Sequence, residues 1–273
     1  MITRPPGRRR RAPLLWPATL LLLAGVAMSA CAGSGRRMPP GMQPDTFLYE
    51  RGTEALNEQN WLTARDYFRQ LVDSYPQSPH RSDAKLGIGD AFLGERTTAS
   101  YLQAINEFRE FLTFYPTNPR ADYAQYKLGM AHFFQMLSAQ RDQTATRDAV
   151  RELETFVERY PNSQLMPEVR AKLREARDRL SQSEYLVGLF YYRQRWFPGA
   201  IDRFRAILKS DPGFTARDAV YFHLAESFVR VDRKAEALPY YEMLIKEFQQ
   251  SEYLEDAGKR LAELNTENAA RLP

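Results

Sequence analysis

Few residues in this chain are of a type and spacing that could make or break bonds. The three histidines, His80, His132 and His223, form no i, i+4 pair and no His-Glu-x-x-His string, so a zinc centre lacks its ligand set. Glu152 and Glu154 are the residue type for general acid–base work. Two apart on a helix, they do not face each other. Gly87-Ile88-Gly89 followed by Gly94 has the glycines of a phosphate-cradling turn, but no strand precedes it, and close helix packing explains it. There is no phosphate-binding loop and no Gly-x-Ser-x-Gly elbow. The expectation is a non-enzyme with no metal and no cofactor. The one reactive residue left is Cys31, the single cysteine of 273 residues, too few for a disulfide framework.

The sequence around Cys31 points to acylation. Residues 1–30 hold five arginines and no acid. The apolar run Leu14 to Met28 is 15 residues long and broken by Pro17, short of the roughly 20 apolar residues a membrane-crossing helix needs. A basic start, a short apolar run and then small residues read as a signal peptide, 1–30. Met28-Ser29-Ala30-Cys31 resembles the bacterial lipobox, in which the thiol is diacylglycerated and the new amine acylated. Several acyl chains on one residue anchor stably where a single chain does not. By resemblance to enterobacterial lipoproteins, Ala32 in place of an aspartate implies that the inner-membrane retention signal is absent. Residues 31–46, with Pro39, Pro40 and Pro44, read as a lipidated flexible tether. The whole chain carries a formal +4 and an isoelectric point near 9.1. Removing the five leader arginines from +4 leaves −1 on residues 31–273, which argues against nucleic acid as a partner.

The remainder is repetitive. Alanine, a large apolar residue four on, and proline eight further recur as Ala64/Phe68/Pro76, Ala104/Phe108/Pro116, Ala149/Leu153/Pro161 and Ala200/Phe204/Pro212. A fifth copy, Ala237/Tyr241, has Gln249 in the proline position. A small residue precedes the alanine at Gly52, Gly188 and Ala225, and Gly87 and Gly129 stand as its displaced counterparts. These offsets match the tetratricopeptide repeat, a helix–turn–helix unit of about 34 residues. Small residues let two helices approach, the large one fills the groove between them, and proline stops the second helix. The fold class expected is all-α, a tetratricopeptide-repeat superhelix of five helical hairpins, since one hairpin cannot bury its apolar face alone. The prolines lie 40, 45 and 51 residues apart. Val169, Leu173, Ala176 and Leu180 in the longest interval predict an amphipathic helix. The organisation expected is repeats 1–3 over 47–163, a linking long helix over 164–183, repeats 4–5 over 184–264 and a flexible tail, 265–273.

A lipobox, a short tether and five repeats with a long helix after the third resemble the BamD family of outer-membrane assembly lipoproteins. The segment from Tyr115 to Ala124, then Tyr126 and Gly129, is similar to that family, as is Arg159 to Gln164. The resemblance covers roughly residues 45–262. It implies a non-catalytic scaffold, lipid-anchored at the periplasmic face of the outer membrane. Its expected partners are a BamA-type barrel insertase, met chiefly through the C-terminal repeats, unfolded outer-membrane proteins received by the N-terminal repeats, and other assembly lipoproteins. Aligning Gly52, Gly87 and Gly129 puts Tyr49, Thr53, Asn57, Arg81, Phe92, Tyr123, Tyr126 and Phe133 on the client-binding face. Arg193, Arg195, Arg203 and Arg205 are the partner-binding candidates, and Arg203 matches an arginine position of the family. The rival reading is another periplasmic repeat lipoprotein that coordinates envelope or cell-division proteins.

Overall fold

The computed structural model describes residues 38–270, with side chains through Glu267. The leader, Cys31 and the first part of the tether lie outside the described residues. The chain divides into two units, one ending at Pro44 and one beginning at Asp45. In the first, the Met42 N–H donates to the Pro39 carbonyl (3.3 Å), and Gly41 takes φ +83°, a backbone region open to glycine at little steric cost.

The second unit is an array of helices, with no strand among the described residues. The first repeat pairs α1 (Pro44–Asn57) with α2 (Trp61–Ser74), and the second pairs α3 (Arg81–Gly94) with α4 (Thr98–Phe114). The third pairs α5 (Ala121–Phe133) with α6 (Thr144–Arg159), and the fourth pairs α7 (Met166–Arg193) with α8 (Phe197–Ser210). The fifth pairs α9 (Arg217–Arg230) with α10 (Lys234–Glu247), and α11 (Leu254–Ala270) follows. The fold is the expected all-α tetratricopeptide-repeat superhelix.

The repeated signature is the core. Ala64, Ala104, Ala149, Ala200 and Ala237 are fully buried, as are Phe108, Leu153, Phe204 and Tyr241. Each large side chain contributes roughly 2–3 kcal/mol by leaving water. Each second helix stops alike: the N–H of Tyr75, Tyr115, Tyr160, Asp211 and Phe248 donates to the carbonyl four residues back, and proline follows in four of them. Gln249 replaces it in the fifth with the same stop, so proline reinforces the ending without being required for it.

Three details differ from the sequence reading. Gly89, not Gly87, is the second repeat's close-packing residue. A Cβ on Gly89 would stand 2.7 Å from the ring of Phe108, as one on Gly52 would meet Phe68 and one on Gly188 would meet Phe204. Gly87 instead packs back on Phe68 of the preceding repeat. The linking helix and the first helix of repeat four are one 28-residue helix, α7, because neither glycine nor proline interrupts the chain between Leu180 and Val187. The expected tail is helical through Ala270. Ala257 and Leu264 are buried against the last repeat, and Lys234 donates to Glu267 (2.5 Å).

Candidate functional site

The turns between paired helices decide where side chains can gather. Thr97 and Ser100 form a capping box: the Ser100 N–H donates to the Thr97 hydroxyl (3.1 Å) and the Thr97 N–H donates to Ser100 Oγ (3.0 Å). The cap satisfies two otherwise orphaned N–H groups, and the extra residues of repeat two become the first turn of α4. Tyr101 then stands at the edge of a cleft across the first helices of repeats one to three.

That cleft has a volume of about 590 Å³. Leu56 of α1, Leu93 of α3 and Tyr123 of α5 line it, with Trp61, Tyr101 and Phe134 at the turn end. The rings of Tyr101 and Phe134 stack at 5.8 Å, and Phe134 remains 50% exposed, so an aromatic wall faces water. A second cavity of about 490 Å³ shares Tyr101 and Phe134 with the first. Polar groups sit at the opposite wall. The Tyr123 hydroxyl reaches both carboxylate oxygens of Asp90 (2.9 and 2.8 Å), and Lys127 lies 3.5 Å from the same carboxylate. Burial pushes the Asp90 carboxyl up against the pull of Lys127 and Tyr123; burial and then Asp90 push the Tyr123 hydroxyl up. Arg96 lines the mouth and forms no ion pair or hydrogen bond among the described residues. Aromatic walls with a free guanidinium suit an extended apolar segment carrying a carboxylate.

Of the sequence-selected face, Tyr123 lines this cleft. Tyr49 stacks on His80 at 4.6 Å, the Thr53 hydroxyl donates to the Tyr49 carbonyl (2.8 Å), and Asn57 is exposed at the end of α1. Phe92 is buried beneath the Arg65 guanidinium, 4.3 Å from the ring centre. Tyr126 donates to Glu168 of α7 (2.5 Å), and Phe133 packs under Lys172 at 4.8 Å, so both join α5 to α7. Arg81 lies at another cavity. Asp90 and Leu93 escape the sequence pattern when Gly87 is taken as the reference glycine of the second repeat. Moving the register two residues, to Gly89, puts Asp90 where Thr53 and Met130 stand in their repeats.

The outer-membrane lipoprotein family model matches residues 42–232, and a tetratricopeptide-repeat model matches residues 219–251. An outer membrane protein assembly factor BamD from Caulobacter vibrioides is 30% identical over 228 residues, covering 82% of this chain and 73% of its own. The chain belongs to the BamD family. A BamD from Xylella fastidiosa is 22% identical, covering 79% of this chain and 76% of its own. One from Haemophilus influenzae is 24% identical, covering 78% and 84%. Membership of the BamD family associates the chain with the outer membrane and with outer-membrane protein assembly. Among the described residues no helix is long and apolar enough to cross a membrane.

This BamD-family chain also presents an aromatic surface where α7 meets α8. Phe190 and Trp196 are 57% and 56% exposed, and Tyr191 meets Trp196 edge-on at 4.7 Å. Gly199 lets the indole lie close: a Cβ there would be 2.8 Å from it. Arg193 ends α7, and Arg195 follows at φ +63°. Both are exposed and neither forms an ion pair among the described residues. Arg203 and Arg205 stand on α8, paired with Glu184 (3.0 Å) and Glu236 (2.9 Å). Exposed pairs of this kind are worth about 0–1 kcal/mol, so a partner's carboxylate can take either arginine at small cost.

Proposed function

We propose that the chain is a non-catalytic scaffold, acylated at Cys31 and held at the periplasmic face of the outer membrane, where it receives unfolded outer-membrane proteins and binds a BamA-type barrel insertase. The aromatic cleft with Arg96 at its mouth carries the client half of this reading. Unfolded barrel strands are extended and rich in aromatic residues, and such segments are held by pockets for alternate side chains and by paired backbone groups. The exposed Phe190, Tyr191 and Trp196 beside unpaired Arg193 and Arg195 support the partner half, since binding energy concentrates in tryptophan, tyrosine and arginine.

A fluorescent peptide copying the last strand of an outer-membrane barrel should bind the purified chain. Phe134→Ser, which removes half of the stacked wall at an exposed position, should weaken it about tenfold, as expected for a central aromatic anchor. Equal affinity for a scrambled peptide would remove the cleft from the reading. The anchor has its own test. Cys31→Ala should move the protein from the membrane pellet to the soluble fraction in cells stripped of the insertase. Continued sedimentation there would rule out acyl anchoring.

A further inference from the structure

Repeats two and five are built alike at one corner, and the difference between them is informative. Arg81 opens α3 and Arg217 opens α9; Phe114 closes α4 and Glu247 closes α10. In repeat five the corner is complete within the chain: Arg217 pairs with Glu247 (3.2 Å) and lies over the Phe248 ring at 5.5 Å. In repeat two, Tyr115 takes the ring's place, but the residue in the glutamate's position is Phe114.

Arg81 is therefore anchored and left without an acid. Its Nε donates to the Val72 carbonyl (3.3 Å) and its Nη1 to the Tyr115 hydroxyl (2.9 Å). It forms no ion pair among the described residues. Lys85 nearby is already held by Glu107 and Glu110, at 2.7 Å each. Arg81, Phe114 and Tyr115 line a cavity of about 380 Å³. Phe114 is 68% exposed, the most of any large apolar side chain among the described residues. A fixed guanidinium is a stronger carboxylate receptor than a free one, because part of its ordering entropy is already spent.

We propose that this corner is a docking point for a partner polypeptide. The partner places a glutamate side chain on Arg81, in the role Glu247 has for Arg217, and covers Phe114 with the aromatic residue next to it. The site shares no residue with the aromatic cleft, so it stands or falls independently of client binding there.

The test titrates the full isotope-labelled chain by NMR with three dipeptides: acetyl-Glu-Phe-amide, acetyl-Gln-Phe-amide and acetyl-Gln-Phe with a free C-terminal carboxylate. The first should shift the Arg81 Nε–H and the Tyr115 amide saturably. The glutamine amide should bind at least about fivefold more weakly, the value of one charge-assisted contact at a partly exposed site. Phe114→Glu should supply the missing acid from within and reduce binding of the first peptide by at least a similar factor, about fivefold. This exposed substitution leaves the core untouched, so a folded spectrum is expected. Equal shifts from the glutamate and glutamine amides, or unchanged binding by Phe114→Glu, would overturn the proposal. Tighter binding of the free-carboxylate peptide than of the glutamate peptide would also overturn it, in favour of a chain terminus.

Discussion

Replacing Asp211 with alanine should cost about 2–3 kcal/mol of unfolding free energy, read as a fall in the urea midpoint. The effect is large because Asp211 joins segments that share no apolar core. The N-terminal half of α7 packs with α5 and α6 through Val169, Leu173 and Ala176, and the apolar core of the last repeats begins again at Tyr185. Between them α7 is mainly polar, with Leu180 its one apolar side chain. Arg174, at the edge of the first core, grips Asp211 with both terminal nitrogens, and Ser181 of the polar stretch donates to it (2.6 Å). One turn on from Arg174, Asp178 accepts the Thr215 N–H (3.0 Å). Removing the carboxylate leaves the partly buried Arg174 with Asp178 alone (3.0 Å) and takes the acceptor from the buried Ser181 hydroxyl. The cost stays below that of a fully broken buried pair because Arg174 is 31% exposed and keeps Asp178. The midpoint loss should come with faster amide exchange in α8 to α11 than in α2 to α6. An unchanged midpoint would mean that the continuous helix α7, which enters both cores, holds the halves together without help from this carboxylate.

The same group sets a pH dependence. Burial raises the Asp211 carboxyl, but the hydrogen bonds from Arg174 and Ser181 outweigh it and hold the group below its ordinary value of 3.8. The unfolded chain thus takes up the proton more readily than the folded one. The stabilisation is complete above about pH 4–5 and fades as the pH falls through and below the ordinary carboxyl value. Asp211→Asn should flatten the acid limb of the stability profile relative to the parent chain. Parallel acid limbs would deny Asp211 this role.

Gly89→Val should destabilise by about 3 kcal/mol, the upper range for overpacking a filled core. The position lies inside a helix, where glycine is intrinsically poor by about 1 kcal/mol, so a gain would follow if space existed. It does not: the added Cβ would sit 2.7 Å from two atoms of the fully buried Phe108 ring. Gly258 in α11 supplies the contrast, since a Cβ there meets nothing within 4 Å. Gly258→Ala should stabilise by about 0.5–1 kcal/mol. Gly89→Ala, whose Cβ meets the same ring, should also destabilise, and adding Phe108→Leu should recover part of that loss, because the third repeat already opposes Gly129 with Leu153. Thermal melts of these variants give the signs directly. A stable Gly89→Val would show that α3 and α4 can separate, and the packing argument for the repeat would fail there.

The sequence alone determined the repeat, its five copies and the all-α class, because each depends on local spacing. An alanine, a large residue one turn on and a helix stop at fixed distance can be read without knowing what lies across the groove. Register across an insertion was not legible. The helix of repeat two holds glycines at both 87 and 89, and either fits a small-residue rule. Only the packing shows that one meets Phe108 of its own hairpin and the other Phe68 of the hairpin before. The two-residue slip moves Asp90 and Leu93 into the cleft and leaves Phe92 under Arg65. The joint between the halves was equally hidden, since Arg174, Ser181 and Asp211 are ordinary surface residue types in ordinary positions. Local periodicity decides which elements form. Which side chains meet between elements depends on distances that close only when the whole array is stacked, and these contacts built the cleft, the polar joint and the incomplete corner at Arg81.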